Sequence, residues 1–459
     1  YLIFYTIDKD NEQRQTMGSP GSRQDRQPGD TRINVIGAGV IGLACALELR
    51  RQGFSVQVLD RQGPGMGASY GNAGHMATEQ IFPIADASIL TQLPAMLRDP
   101  MGPLRLDWRY LPRALPWFTR LLLNLRSAPY ANSVAGIRAL NEVSLDAWRK
   151  LLDSIDGRHL MKEDGSLLVY EQDQSKPRID QLAAAMSAQG VALESWSGDA
   201  IRELAPSLSA KLRGGLFFPA TAHVVAPAAI TAALVDAARQ EGVTFATAEV
   251  RTARVHGQGV SLQTDTGALD CERVLLACGA HSAPLAAELT GRRVPLDTER
   301  GYHLMLPAER HRLPVAVTSL ERRFIMTPMS DGLRLAGTVE FAGLKRPPNM
   351  ARAWQLHRLS QGLFEHDLDA TDAKPWMGFR PSLPDSLPII DSARDGRVLL
   401  AFGHHHLGLT QAAVTAKLVG RLATGKTAPA PAPLSLPPLS PLSPLPTLPP
   451  LSPYRLERF

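Results

Sequence analysis

The chain has 459 residues, 44% apolar and 20% charged, which is enough for two domains with cores of their own and too apolar for general disorder. Its 49 basic and 44 acidic residues give a net charge of +5 without lysine-rich blocks, arguing against nucleic acid as the main partner and leaving open an anionic substrate or an acidic membrane surface. Three cysteines, Cys45, Cys271 and Cys278, exclude a disulfide framework or a zinc cluster and favour a reducing compartment, the cytoplasm by default.

Residues 1–31 are mostly polar, lack the apolar stretch of a signal peptide and read as a disordered leader, with Met17 as an alternative start. Residues 32–36 read as a buried strand, 37–42 as a tight turn, 43–52 as a helix closed by Gly53, and 54–59 as the next strand. This is a βαβ unit whose strands lie parallel in one sheet. Residues 94–126 are rich in Leu, Trp, Arg and Pro. Within it, residues 104–120 are basic and aromatic enough to touch a membrane, but Pro112 and Pro116 break the helix such a surface wants, so core packing or a substrate lid is the better reading. Residues 135–155 predict an amphipathic helix. Buried-strand character returns at 244–250, 273–277 and 397–402, the last leading into a helix over 409–422. Residues 295–340 predict antiparallel strands with a turn at Ser330, Asp331 and Gly332. Residues 428–453 are Pro/Leu/Ser-rich and predict an extended, polyproline-like strap or tail. No run of about 20 apolar residues predicts a membrane span.

The expected fold is therefore α/β, with a Rossmann-like domain assembled from 32–90, 205–290 and 375–427. An α+β substrate domain containing an antiparallel sheet is inserted as 91–204 and 291–374, and a tail follows at 428–459.

Gly37, Ala38, Gly39, Val40, Ile41 and Gly42 fit the dinucleotide fingerprint, in which the glycines make the turn, admit a pyrophosphate and let helix meet sheet. Asp60 ends the second strand, where a carboxylate can accept from ribose hydroxyls; Arg61 leaves a phosphorylated ribose open. The chain then enters a small-residue loop, 65–75, containing Ser69, Asn72, Gly74 and His75. Such a loop suits close passage of a flat ligand and a second phosphate contact, which favours FAD over NAD. A third element, with Ala277, Cys278 and Gly279, ends a strand in small residues, as needed where backbone crosses a cofactor; Val250 joins the same set. Cys278 reads as a core residue. Asp385 reads as a turn residue. His404, His405 and His406 tempt a metal reading, but adjacent residues point different ways and lack spaced partners, so no metal is assigned.

Together these pieces resemble the D-amino acid oxidase/glycine oxidase superfamily, and within it the bacterial D-amino acid and D-hydroxyproline dehydrogenases, over about 33–426. The most specific marks are the fingerprint, the 69–75 loop, Arg300-Gly301-Tyr302-His303, Gly378-Phe379-Arg380-Pro381 and the segment 403–410. The resemblance implies a GR2-type flavoprotein in which Arg380 pairs with the substrate carboxylate. It places Gly403, Leu407, Gly408, Leu409 and Thr410 where the chain closes over the flavin at the last helix. It implies one of the adjacent histidines, His406, facing flavin or substrate. Where the oxidases carry a tyrosine ahead of a strand, this chain has Arg322-Arg323-Phe324, leaving Tyr302 or His303 to supply polar contacts.

The implied reaction is FAD-dependent dehydrogenation of a D-amino or D-imino acid, cis-4-hydroxy-D-proline among them, with hydride passing from Cα to flavin N5 to give an imine. A sarcosine or glycine oxidase-like activity and a non-catalytic flavin-binding interaction protein are the alternatives. The partner is a small amino or imino acid; the electron acceptor, a quinone or transfer chain among the candidates, is not specified. A peripheral contact with the inner face of the cytoplasmic membrane also stays open.

Overall fold

The computed structural model describes residues 31–85, 101–102, 104–425 and 448–459. Residues 1–30 of the expected leader and residues 428–447 of the expected tail lie outside them. A six-stranded sheet runs in the order Thr244–Thr247, Ser55–Asp60, Arg32–Ile36, Arg273–Leu276, Val398–Phe402, Ile389–Ala393. The first five strands are parallel and the last is antiparallel. Its inner strands are short Val/Ile/Leu runs buried on both faces, as a parallel sheet covered by helices requires. Helix Val40–Arg51 packs on Gly408–Thr424, which in turn packs on Ser127–Asp153. Trp148 locks the last contact, its indole N–H shared between the carbonyls of Leu409 (2.9 Å) and Thr410 (3.1 Å).

A second, mostly antiparallel sheet of nine strands follows the order Lys374–Ser382, Asp297–Leu306, Gly332–Phe341, Phe324–Met329, Ala316–Ser319, Ser166–Tyr170, Gly214–Phe218, Glu194–Ser197, with Leu104–Leu106 beside Gly332–Phe341. Its own apolar cluster, including Leu167, Leu304, Met326 and Leu335, lies under helix Ala351–Ser360. The antiparallel strands around the 330–332 turn follow the sequence reading.

Several elements differ from that reading. The helix after the first strand begins at Val40, three residues earlier than expected, because Gly39 already serves as its N-cap. The strand expected over 244–250 is two pieces. Thr244–Thr247 is a half-exposed edge strand, and the Ala248 N–H turns back to the Asp60 carbonyl (2.9 Å) before Val250–His256 enters a separate three-stranded sheet. Helix Ser127–Asp153 starts well before 135, with Pro129 in the first turn, where no intrahelical N–H is lost. Pro112 and Pro116 do not prevent a helix: Leu111–Asn124 runs through Pro116, and the carbonyl this leaves without a donor is that of exposed Pro112. Gly214–Phe218, expected within 205–290 of the nucleotide domain, pairs instead with Ser166–Tyr170 and Glu194–Ser197.

The end of the expected tail is also not extended. Residues 448–459 lie on the core: Tyr454 is buried and donates to the Gly136 carbonyl (2.8 Å), and Arg458 donates to Asp385 (2.6 Å) and the Leu387 carbonyl (2.7 Å). Among the described residues no helix is long and apolar enough to cross a membrane.

Candidate active site

The carboxyl ends of Arg32–Ile36, Ser55–Asp60, Arg273–Leu276 and Val398–Phe402 open onto one cleft of about 680 Å³. From Arg32–Ile36 the chain passes to Ser55–Asp60 on one side, while the strand on its other side, Arg273–Leu276, arrives much later; ligands of parallel sheets bind at such a switch point. Gly37 has φ +105°, and a Cβ there would lie 2.5 Å from the Ala277 carbonyl oxygen. A Cβ on Gly42 would lie 1.9 Å from the Gly37 carbonyl oxygen, so helix and turn meet only because it is glycine. Gly39, Val40 and Ile41 line the cleft floor. Ser69 reaches in from the following loop and accepts from the Val40 N–H (2.9 Å), tying that loop to the helix start.

Asp60 lines the cleft and shapes it. One carboxylate oxygen accepts from the Ala38 N–H (2.8 Å), the other from Gln62 (2.9 Å) and Gly63 (3.2 Å). Arg61 donates to His281 Nε2 (2.9 Å); burial, then the Arg61 charge, pushes that imidazole down to about 4. Asn72, Val250, Ala277 and Gly279 line the middle of the cleft, and Gly403, Gly408 and Leu409 its far side. Cys278 is no nucleophile: burial and nearby Asp60 push its thiol up to about 12, and it donates to the Ile36 carbonyl (3.2 Å). Gly74, His75, Leu407 and Thr410 lie behind the lining. Asn72 Oδ1 accepts from the Gly74 N–H (2.8 Å), His75 pairs with Glu79 (2.9 Å), Leu407 is buried, and Thr410 Oγ1 accepts from the Ala77 N–H (3.1 Å).

The cleft continues from Asp60 to Trp376 and Phe379 of the large sheet. A glycine floor at a helix N-terminus suits a diphosphate, and a long cleft leading to a second domain suits a dinucleotide with a bulky second half. The residues present therefore fit FAD.

On the large sheet, Glu299 pairs with Arg380, Gly301 with Gly378 and His303 with Trp376, so these six share one face. A Cβ at Gly301 would fall 2.5–2.7 Å from the Arg380 guanidinium, which lies across that glycine with Nη1 3.4 Å from the Thr338 carbonyl oxygen. His303 stacks on Trp376 at 4.9 Å and donates from Nδ1 to the Gly71 carbonyl (2.9 Å). Tyr302 occupies the opposite face, its hydroxyl donating to Glu340 (2.6 Å) and accepting from the Asn349 N–H (3.2 Å), so the structure does not bring it to Arg380. Arg300 shares that face, fully buried, and clasps the carbonyls of Gly343 (2.6 and 2.8 Å) and Arg346 (2.8 Å).

Next to Arg380 stands a buried network that sequence reasoning missed. Ser382 Oγ donates to Glu299 (2.5 Å), and His405 Nε2 accepts from the Leu383 N–H (3.0 Å), which turns Nδ1 toward Ser382 (3.3 Å) and Glu299 (3.8 Å). Burial raises the Glu299 pKa, but the His405 and Ser382 hydrogen bonds and the Arg380 charge outweigh it and bring the carboxyl down to about 2. His406 is held at about 4 by burial and by Arg380, and is neutral near pH 7. His404 pairs with Thr415 (3.0 Å), so the three adjacent histidines take three different surroundings. Burial lowers the Arg380 pKa while Glu299 opposes it. Alternation with Gly301 and His303 was the signal that could have found Glu299; nothing local marks Ser382, and the sequence offers His405 only as one of three adjacent histidines.

A switch-point cleft with a glycine floor, continued onto a sheet that presents an arginine, defines a two-part dinucleotide-dependent oxidoreductase. The sequence profile of the family described as FAD dependent oxidoreductase matches residues 32–422. A D-amino-acid oxidase of Bradyrhizobium diazoefficiens is 34% identical, the match covering 87% of this chain and 96% of that one. A D-amino acid dehydrogenase of Vibrio vulnificus is 29% identical over 88% of this chain and 98% of its own. Among solved structures, glycine oxidase from Geobacillus kaustophilus superposes with a TM-score of 0.67 at 21% identity, over 87% of this chain and 96% of that one, which supports the fold. The chain belongs to the FAD-dependent oxidoreductase family, and FAD is its cofactor.

Proposed function

We propose that this enzyme oxidises D-amino acids to imino acids, with Arg380 binding the substrate carboxylate. The observation that carries the reading is the state of Arg380. Its guanidinium lies on the open Gly301 stripe, and the nearest carboxylate acting on it, Glu299, is already committed to Ser382 and His405. A planar, permanently charged fork with no ion pair of its own among the described residues, in a low-dielectric wall, suits a bidentate carboxylate. Bound flavin supplies the acceptor for the Cα hydrogen and its electron pair.

The chain's own work is positioning. Glu299, fixed by Ser382 and His405, steadies the Arg380 charge; Gly301 gives it room; neutral His406 lies beside it without competing for the anion. His303, its Nδ1 proton given to Gly71, turns the stacked pair with Trp376 into a rigid wall between flavin loop and substrate sheet. The large sheet with its covering helices is the substrate unit, the six-stranded sheet the cofactor unit. Released imino acid hydrolyses in water to the keto acid and ammonia.

The test is anaerobic reduction of the purified yellow protein by D- and L-amino acids, cis-4-hydroxy-D-proline, sarcosine and glycine, followed by flavin absorbance. Bleaching by D-substrates, lost in Arg380→Ala, supports the reading. Flavin that stays oxidised, or is bleached only by sarcosine or glycine, overturns it. Reoxidation by air against reoxidation by a quinone analogue then assigns the acceptor.

A further inference from the structure

Strand Gly332–Phe341 carries a bulge opposite Gly301. Arg300 faces Glu340 and Tyr302 faces Gly337, so Thr338 and Val339 together oppose the single residue Gly301. Thr338 has φ +59°, the left-handed conformation that the first residue of such a bulge adopts and that normally selects glycine. A β-branched residue is a true outlier there. The preceding residue is a glycine for another reason, since a Cβ at Gly337 would come 2.8 Å from the Phe324 Cβ. The chain therefore carries glycine where packing demands it and threonine where the backbone disfavours it.

The bulge has a visible consequence. It turns the Thr338 carbonyl out of the ladder and onto the face where Arg380 lies, 3.4 Å from Nη1. A glycine would do this equally well and without strain. Thr338 is also 6% exposed, and its hydroxyl is buried with no hydrogen-bond partner among the described residues. Two unfavourable terms, a left-handed β-branched residue and a buried unpaired hydroxyl, thus meet at one position beside the carboxylate anchor. Glycine would remove both. Local rules broken together at one place point to function rather than to folding.

We infer that Thr338 is a further substrate-binding residue, its hydroxyl donating to the substrate carboxylate held by Arg380 while its carbonyl fixes the guanidinium. This inference rests on the reading of Arg380 given above. It assigns the bulge a purpose: one residue supplies an acceptor to the anchor and a donor to the anchor's ligand.

The test uses the purified flavoprotein and three variants. Thr338→Gly keeps the carbonyl and relieves the backbone, Thr338→Val keeps the shape and removes the hydroxyl, and Thr338→Ser restores it. Carboxylate binding is read by titrating benzoate against the flavin spectrum, and substrate Kd by anaerobic reduction. Thr338→Gly should melt at or above the wild-type temperature yet bind both ligands roughly 10–100-fold more weakly, the range for a hydrogen bond to a charged group. Thr338→Val should weaken binding to a similar degree, Thr338→Ser should recover most of it, and the loss should fall on Kd more than on the limiting reduction rate. Wild-type-like binding in Thr338→Gly or Thr338→Val, or no recovery in Thr338→Ser, overturns the inference while leaving the Arg380 reading intact. A wild-type protein that no amino acid reduces, or an Arg380→Ala variant that still binds benzoate normally, overturns both.

Discussion

Acidification from pH 7 to pH 5.5 should destabilise this protein through histidines it keeps buried and neutral. His223, His303 and His404 are 1%, 5% and 3% exposed. Burial is the main cause of each depression, to about 4 for His223 and about 3 for His303 and His404. Secondary contributions come from the Lys162 charge against Asp164 at His223, Arg334 against the Gly71 carbonyl at His303, and neighbouring His405 at His404. A folded pKa below the unfolded value of about 6.5 means that the unfolded chain binds more protons, so the stability is present above that value and is lost as pH falls towards 3–4. Between pH 7 and 5.5 each such group costs about 1.2 kcal/mol by linkage, or roughly 3–4 kcal/mol for three. That is a large part of an ordinary folding free energy of about 5–15 kcal/mol. Glu299 does not contribute in this window because its folded value is about 2, and Asp297, shifted upward by burial, opposes the loss. Denaturant unfolding of the flavoprotein at fixed ionic strength, at pH 7 and 5.5, measures the difference. Equal or greater stability at pH 5.5 would refute the assignment of these rings as neutral in the fold.

Arg380→Ala should weaken carboxylate binding by about 100-fold or more, since a buried charge pair loses one partner, and Arg380→Lys should recover only part of it because the fork is gone; benzoate titration checks both. Ser69→Ala removes the acceptor for the Val40 N–H and should cost about 1 kcal/mol, seen as roughly five-fold faster or weaker retention of FAD by fluorescence on dilution. Tyr454→Ala, emptying a fully buried site under helix Ser127–Asp153, should lower unfolding free energy by about 3 kcal/mol in urea, whereas no change would show that the chain end is not held on the core in solution.

What the sequence makes legible is local. The first βαβ unit is readable because Ile33 to Gly42 compress a buried strand, a turn and a helix start into ten positions with one steric solution. Arg380 is singled out only through a resemblance, that of Gly378 to Pro381 to a family motif, and its binding of a carboxylate is the proposal made above. The Glu299, Ser382 and His405 network is not, because its members come from three segments joined only by strand register and a turn. Tyr302 and His303 show the limit of a motif reading: they are adjacent in sequence, but alternation along a strand sends them to opposite faces, so only one shares the Arg380 face. The helix through Pro116 escapes local reading because its missing bond falls on the solvent side, where water can replace it.

The large sheet also explains how the 65–75 loop can be so poor in side chains of its own. Arg334 donates to the Asn72 carbonyl (2.6 Å) and His303 to the Gly71 carbonyl (2.9 Å), while the Trp376 indole lies where side chains at Gly71 and Gly378 would stand. Arg334 is buried, and although burial brings its pKa down to about 10 it remains charged at neutral pH, so the loop backbone carries a fixed positive neighbour. The loop is therefore shaped from outside, by the sheet that also holds Arg380. A change in strand Asp297–Leu306 or Gly332–Phe341 reaches the 65–75 loop and Arg380 together, because His303 and Arg334 hold the loop while Gly301 and the Thr338 carbonyl lie against Arg380, which itself stands on Lys374–Ser382. Cofactor retention and substrate affinity should thus vary together in variants of this sheet, even where neither ligand touches the altered residue.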